Sequence, residues 1–207
     1  NKYDVIGLDV QSFFLIDDDP RAFIKRLETA VLEEVCAKWS DIDGLKDMRL
    51  VNALIKVHET TGAKFVFVID EWDAVFRYYP KDDALQKKWI HFLRDMFKQA
   101  AMNPCVALVY MTGILPVKKY KTQSSLNQFF EYTMLRPLEL EKYVGFLPAE
   151  VDALCEKFDM DRAEAAEWYD GYMLPHEHHV YNPCSVAQAM TYRAYGSYWT
   201  KTDTFES

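Results

Sequence analysis

Three stretches of the chain are apolar at nearly every position, and the stretches between them repeat their apolar residues at helical spacing. Residues 3–10 (YDVIGLDV) are rich in β-branched side chains and predict a buried strand, with Asp9 near its end. KFVFVID (64–70) is the clearest run of this kind, and CVALVYM (105–111) is a third. Unbroken apolar runs predict strands buried on both faces, as in a parallel sheet. FFEYTML (129–135) predicts one strand more.

The intervening segments read as helices. Asp19 is placed to cap and Pro20 to occupy a first turn, after which Phe23, Leu27, Ala30, Val31 and Val35 recur to about Trp39. A second helix is expected from near Leu45 to His58, with Leu50, Val51, Leu54 and Ile55 inward and Gly62 as its stop. A third is expected over 83–101, with Trp89, Phe92, Leu93, Met96 and Phe97 on its apolar side. Strands alternating with helices predict an α/β fold around a parallel sheet. Past Pro137 the texture changes to short helices, near 149–158 and 161–169, and to one opened by Asn182 as cap and Pro183 at the first position. Residues 1–136 are therefore expected to form the α/β core, and 137–207 a smaller, mainly helical, lid-like region.

Composition narrows the function classes. The chain is 50% hydrophobic and 27% charged, a balance that favours a packed core over disorder. Its formal net charge of −8 disfavours direct nucleic-acid binding, since the densest basic points are only Lys87-Lys88 and Lys118-Lys119 with Lys121. No apolar run approaches the roughly 20 residues of a membrane span, and the start carries no secretory signal; a cytoplasmic location is expected. Cys36, Cys105, Cys155 and Cys184 are far apart, each in or beside an apolar stretch, and are expected to be buried free thiols.

The segment with the clearest chemistry is FVFVIDEWD (65–73), an apolar strand ending in two adjacent carboxylates. This is the Walker B arrangement of a P-loop ATPase. The strand sets Asp70 at the sheet edge where open α/β sheets bind ligands. Asp70 would hold Mg²⁺, mostly through water because that ion sheds its hydration shell reluctantly. Glu71 would orient and polarise the attacking water, and phosphoryl transfer asks for little beyond positioning and charge stabilisation. The competing reading is a core strand followed by a solvated acidic turn. CVALVYM ends at Thr112-Gly113, so Thr112 either senses the γ-phosphate or simply ends a strand before a turn.

Taken together, these stretches resemble the predicted AAA-ATPase-like proteins of bacteria, which often carry a restriction-nuclease-like domain after the ATPase. The resemblance rests on YDVIGLDV (3–10), FVIDEWDAVF (67–76), TGILPVKKY (112–120), SSLNQFFEYTML (124–135), the GF-x-x-x-EV pattern (145–151), WYDGY (168–172), YNPCSV (181–186) and YWTKT (198–202). It implies ATP and Mg²⁺ as ligands. It also implies a Gly-rich loop ending in Lys-Ser or Lys-Thr ahead of the first strand, yet none of the seven glycines makes G-x-x-x-x-G-K-[ST]. The chain opens without methionine, directly on a strand, and so reads as the later part of a longer domain. The strand feeding the absent loop is expected between strands 64–70 and 105–111, leaving there a gap or another chain as filler. Such a segment alone is expected to be inactive.

Other residues carry two readings each. Asn127 either faces the γ-phosphate as a nucleotide-binding residue or caps a turn. Lys118 and Lys119 are a solvated pair or contact phosphate or a neighbouring subunit. Arg77 and Arg136 are trans-acting arginines only if the protein forms a homo-oligomeric ring. Asp73 is expected to orient the turn after Glu71. HEHH (176–179) lacks metal-ligand spacing and reads as a solvated turn. WYDGY reads as two aromatics flanking a turn at Asp170-Gly171, or as a nucleotide or partner contact. Two function classes remain: an ATPase using Asp70, Glu71 and Thr112, and a non-catalytic scaffold or regulatory module with a degenerate nucleotide site.

Overall fold

Six residues from each of three apolar runs pair into one parallel sheet: β1 (Asp4–Asp9), β2 (Phe65–Asp70) and β3 (Val106–Met111), in the order β1-β2-β3. The computed structural model describes residues 2–14, 19–116, 126–133, 136–174 and 179–198. It divides into two compact units, Asn1–Glu131 and Tyr132–Ser207.

In the larger unit, α1 (Phe23–Lys38) and α2 (Leu50–Thr61) connect β1 to β2, and α3 (Ala74–Tyr78) and α4 (Asp83–Phe97) connect β2 to β3. Asp19 caps the short turn before α1, its carboxylate accepting from the Arg21 amide at 2.9 Å. Gly62 ends α2 at φ +73°, a conformation that glycine adopts without strain. Asp82 caps α4 by accepting from the Leu85 amide at 3.0 Å. The helices bury Phe23, Leu27, Leu54, Trp89 and Leu93 against Phe65, Phe67 and Ile69 of β2. Phe23 lies over Trp89, and Phe67 meets Phe97 edge-on, with ring centroids 5.4 and 5.0 Å apart.

Three expectations are corrected. There is no gap between the second and third runs: β2 and β3 pair directly, Phe65 beside Val106 and Ile69 beside Met111. Direct pairing satisfies the backbone groups that a missing central strand would have left unbonded. Second, the described residues of this unit cover the sheet on one face only. Val5, Leu108, Tyr110 and Val68 are 67, 55, 50 and 38% exposed. The topology explains this. The strand order advances in one direction, and right-handed crossovers then lay every connecting helix on the same face. Third, FFEYTML forms no strand among the described residues; Thr133 makes only an isolated bridge with Arg136, and Phe130 stands in solvent.

The smaller unit holds α5 (Pro148–Phe158), α6 (Arg162–Tyr169), a hairpin of β4 (Asp170–Met173) and β5 (His179–Tyr181), and α7 (Pro183–Tyr192). Asp161 caps α6 and Asn182 caps α7, each accepting an amide hydrogen at 2.9 Å. Val151, Cys155, Ala165, Tyr169, Val186 and Met190 form its core. The expected turn at Asp170-Gly171 is instead the start of β4, where Asp170 lies beside Tyr181. His179 Nδ1 lies 3.0 Å from both carboxylate oxygens of Asp170. The rest of the histidine cluster, with Lys118, Lys119 and Lys121, lies outside the described residues. Of the expected buried thiols, Cys105 and Cys155 are buried and Cys36 is half-buried; Cys184, on the outer side of α7, is exposed.

Candidate functional site

The parallel register brings the last residues of the three strands to one edge. Asp9 stands beside Asp70, and the two alternate with Leu8 and Ile69, which point into the core. Asp9 and Asp70 therefore share the uncovered face. Thr112 follows β3, with its amide donating to Ile69 O at 2.9 Å and its carbonyl accepting from the Trp72 amide at 3.0 Å. These bonds stitch Thr112 to both sides of the β2 terminus. Its hydroxyl donates to Asp70 Oδ1, which also accepts from the Glu71 amide at 3.0 Å. Asp70 Oδ2 accepts nothing among the described residues. Asp9 is held in turn by the Gln11 amide, which donates to its Oδ1 at 3.0 Å.

Glu71 turns the chain out of the sheet. Its φ is +53°, a left-handed conformation that side chains other than glycine seldom adopt. The turn sets up α3, and with it a network that sequence reasoning only partly anticipated. Arg77 donates through Nη2 to Glu71 Oε2 and through Nε to Asp73 Oδ2, the latter at 3.2 Å. Asp73 is wholly buried, and its Oδ2 also accepts from the Leu115 amide at 2.9 Å. Asp73 thus orients the turn, as expected from its position. Both of these contacts engage Arg77 within its own chain. The i, i+4 spacing of Asp73 and Arg77 on a helical turn was a usable signal for their pairing. The Glu71 contact was not legible, because it depends on the left-handed turn.

Asn127 is not brought to this edge. Its side-chain oxygen accepts from Lys98 Nζ at 3.1 Å, just past the end of α4. A helix running between parallel strands returns the chain to the opposite edge of the sheet, so its C-terminal end lies away from Asp70.

The donors at the strand ends are carboxylate and hydroxyl oxygens, the set that suits a hard cation. Among the described residues no three His, Cys, Asp or Glu side chains gather closely enough to hold a metal by themselves. These donors fit a hard ion that keeps much of its own water, as Mg²⁺ does. A glycine-rich turn to cradle phosphates is not among the described residues.

Gly113 closes the site from the β3 side. A Cβ there would stand 2.6 Å from both Asp73 Oδ1 and Trp72 Cδ1. Gly113→Ala is expected to destabilise the fold by ~1–3 kcal/mol, the usual cost of overpacking, read as a lower urea midpoint. A midpoint equal to that of the parent protein would contradict the close approach of these three residues.

A family model described as predicted AAA-ATPase matches residues 1–122, more than half of the chain. No curated protein matches it significantly. No helix among the described residues is long and apolar enough to cross a membrane.

Proposed function

Because the chain belongs to the predicted AAA-ATPase family, we propose that its larger unit carries the hydrolytic half of an ATPase site at the ends of β2 and β3. The observation that supports this reading best is the joining of Asp70 to Thr112 across the two strands, with Glu71 next in the chain. Asp70 would hold Mg²⁺, whose charge, when the ion is bound, offsets that of the nucleotide phosphates. The open Oδ2 of Asp70 is the oxygen available for this. Glu71 would accept a hydrogen bond from the attacking water and take its proton as the new bond to the γ-phosphorus forms and the bond from that phosphorus to the bridging oxygen breaks, with ADP as the leaving group. Thr112 would orient Asp70, and its hydroxyl would sense the γ-phosphate by turning its one proton from Asp70 to a phosphate oxygen. The phosphate-gripping loop that completes such a site is a separate part of the family pattern.

Calorimetric titration of the full-length protein with MgATP tests the reading. Binding should weaken by ~10–100-fold in Asp70→Ala, the range typical for loss of a group that orients a metal's shell. Unchanged MgATP affinity in that variant would refute the assignment of Asp70.

A further inference from the structure

Both carboxylates of the site are tethered to the same four residues of chain, Thr112–Leu115. Asp70 is tied to the Thr112 hydroxyl. Glu71 is tied through three links: its Oε2 to Arg77, Arg77 Nε to Asp73 Oδ2 at 3.2 Å, and that same Oδ2 to the Leu115 amide at 2.9 Å. We propose that Arg77 is a positioning residue for Glu71, anchored by buried Asp73, so that the segment after β3 sets the orientation of both carboxylates together. The inference rests on the reading of Glu71 as the group that activates water.

The chemistry of the three side chains supports this division of labour. A wholly buried carboxylate is costly unless a charge and hydrogen bonds compensate it. Arg77 supplies that charge, so Asp73 fixes the guanidinium where it stands. A guanidinium presents several donors in a rigid planar fork. With Nε committed to Asp73, Nη2 is held in a defined direction, and Glu71 meets it there. Only one oxygen of Glu71 is used. Oε1 accepts nothing among the described residues and remains able to accept from water. A lysine would provide the charge but not the fork, so it could not hold two carboxylates at fixed angles. The side chain of Glu71 otherwise has three rotatable bonds at a backbone position that offers it no support from a helix or strand. Arg77 removes that freedom before water arrives.

The test uses the full-length protein and two kinds of measurement. In urea denaturation, the midpoint shifts of Arg77→Met and Glu71→Ala, each of which deletes the contact between the two side chains, are expected not to add in the double variant, because the second change removes a contact already lost. Additive shifts would overturn the proposal without reference to activity. In steady-state ATP hydrolysis, Arg77→Met is expected to lower kcat by ~10–100-fold with KM nearly unchanged, the scale of a misplaced catalytic group. Arg77→Lys should recover only part of that loss. A kcat that falls in Glu71→Gln but holds in Arg77→Met overturns the positioning role and leaves the site reading intact. Hydrolysis that is indifferent to Glu71→Gln overturns the site reading, and the proposal with it.

Discussion

Glu71→Gln is expected to reduce ATP turnover by ~10²–10⁴-fold, the contribution of a positioned general base, while MgATP binding stays close to that of the parent protein. The substitution is nearly isosteric. The amide oxygen of glutamine can still accept from Arg77, so the turn, Asp73 and the backbone of Leu115 keep their partners. What is lost is the ability to take a proton from water. Asp70, which is bonded to Thr112 and not to the Glu71 side chain, keeps its place. Turnover and calorimetric affinity measured on the same preparation separate the two effects. Near-normal turnover would remove Glu71 from the chemistry. A parallel loss of MgATP affinity would mean that it serves binding instead.

The largest stability effect is expected from Trp89. Its side chain is fully buried between Phe23 and Phe92, whose ring centroids each lie 5.4 Å away. Its indole Nε1 donates to Trp72 O at 2.8 Å. Trp89→Ala is expected to cost ~3–5 kcal/mol, from lost burial and an unfilled cavity. That is a large share of the roughly 5–15 kcal/mol that holds a typical domain together. Trp89→Phe keeps most of the apolar volume but leaves the Trp72 carbonyl without its donor, at ~1–3 kcal/mol. Urea midpoints should therefore rank parent, Phe, Ala in descending order. Equal midpoints for the two variants would show that the hydrogen bond to the turn, and not the packing, dominates. Because Trp72 lies between Glu71 and Asp73, this bond is also how the core helix α4 steadies the site.

The elements that were legible from sequence are those where local preference and tertiary context agree. The runs 3–10, 64–70 and 105–111 are β-branched or aromatic and pair as strands. Asp19, Gly62, Asn182 and Pro183 mark helix boundaries through capping chemistry that acts within a few residues. What was not legible depends on partners distant in sequence. Val5, Val68 and Leu108 are as apolar as Phe67 and Ile69, so an apolar run alone cannot reveal that the described residues of the larger unit leave one face of the sheet exposed. FFEYTML has strand-like composition, but composition supplies no neighbour to pair with. Asp70 and Thr112 could be placed at one edge because strand ends in a parallel sheet share an edge. Glu71–Arg77 and Asn127–Lys98 depend on side-chain directions that no spacing encodes.

The left-handed backbone at Glu71 also bears on which sequences this position accepts. Asp159 and Arg193 adopt similar φ values, but both end helices, where such a residue satisfies the last carbonyls. Glu71 instead follows a strand, and its carbonyl accepts from the Ala74 amide at 2.9 Å to open the next turn. Glycine would relieve a strain of roughly 1–2 kcal/mol there, so selection for stability alone would drift toward it. On the role proposed for it, a glutamate at a position that the backbone offers to glycine would trade durability for activity. Variants chosen only for heat resistance would be expected to lose this residue early, and the chemistry proposed for it would go with it.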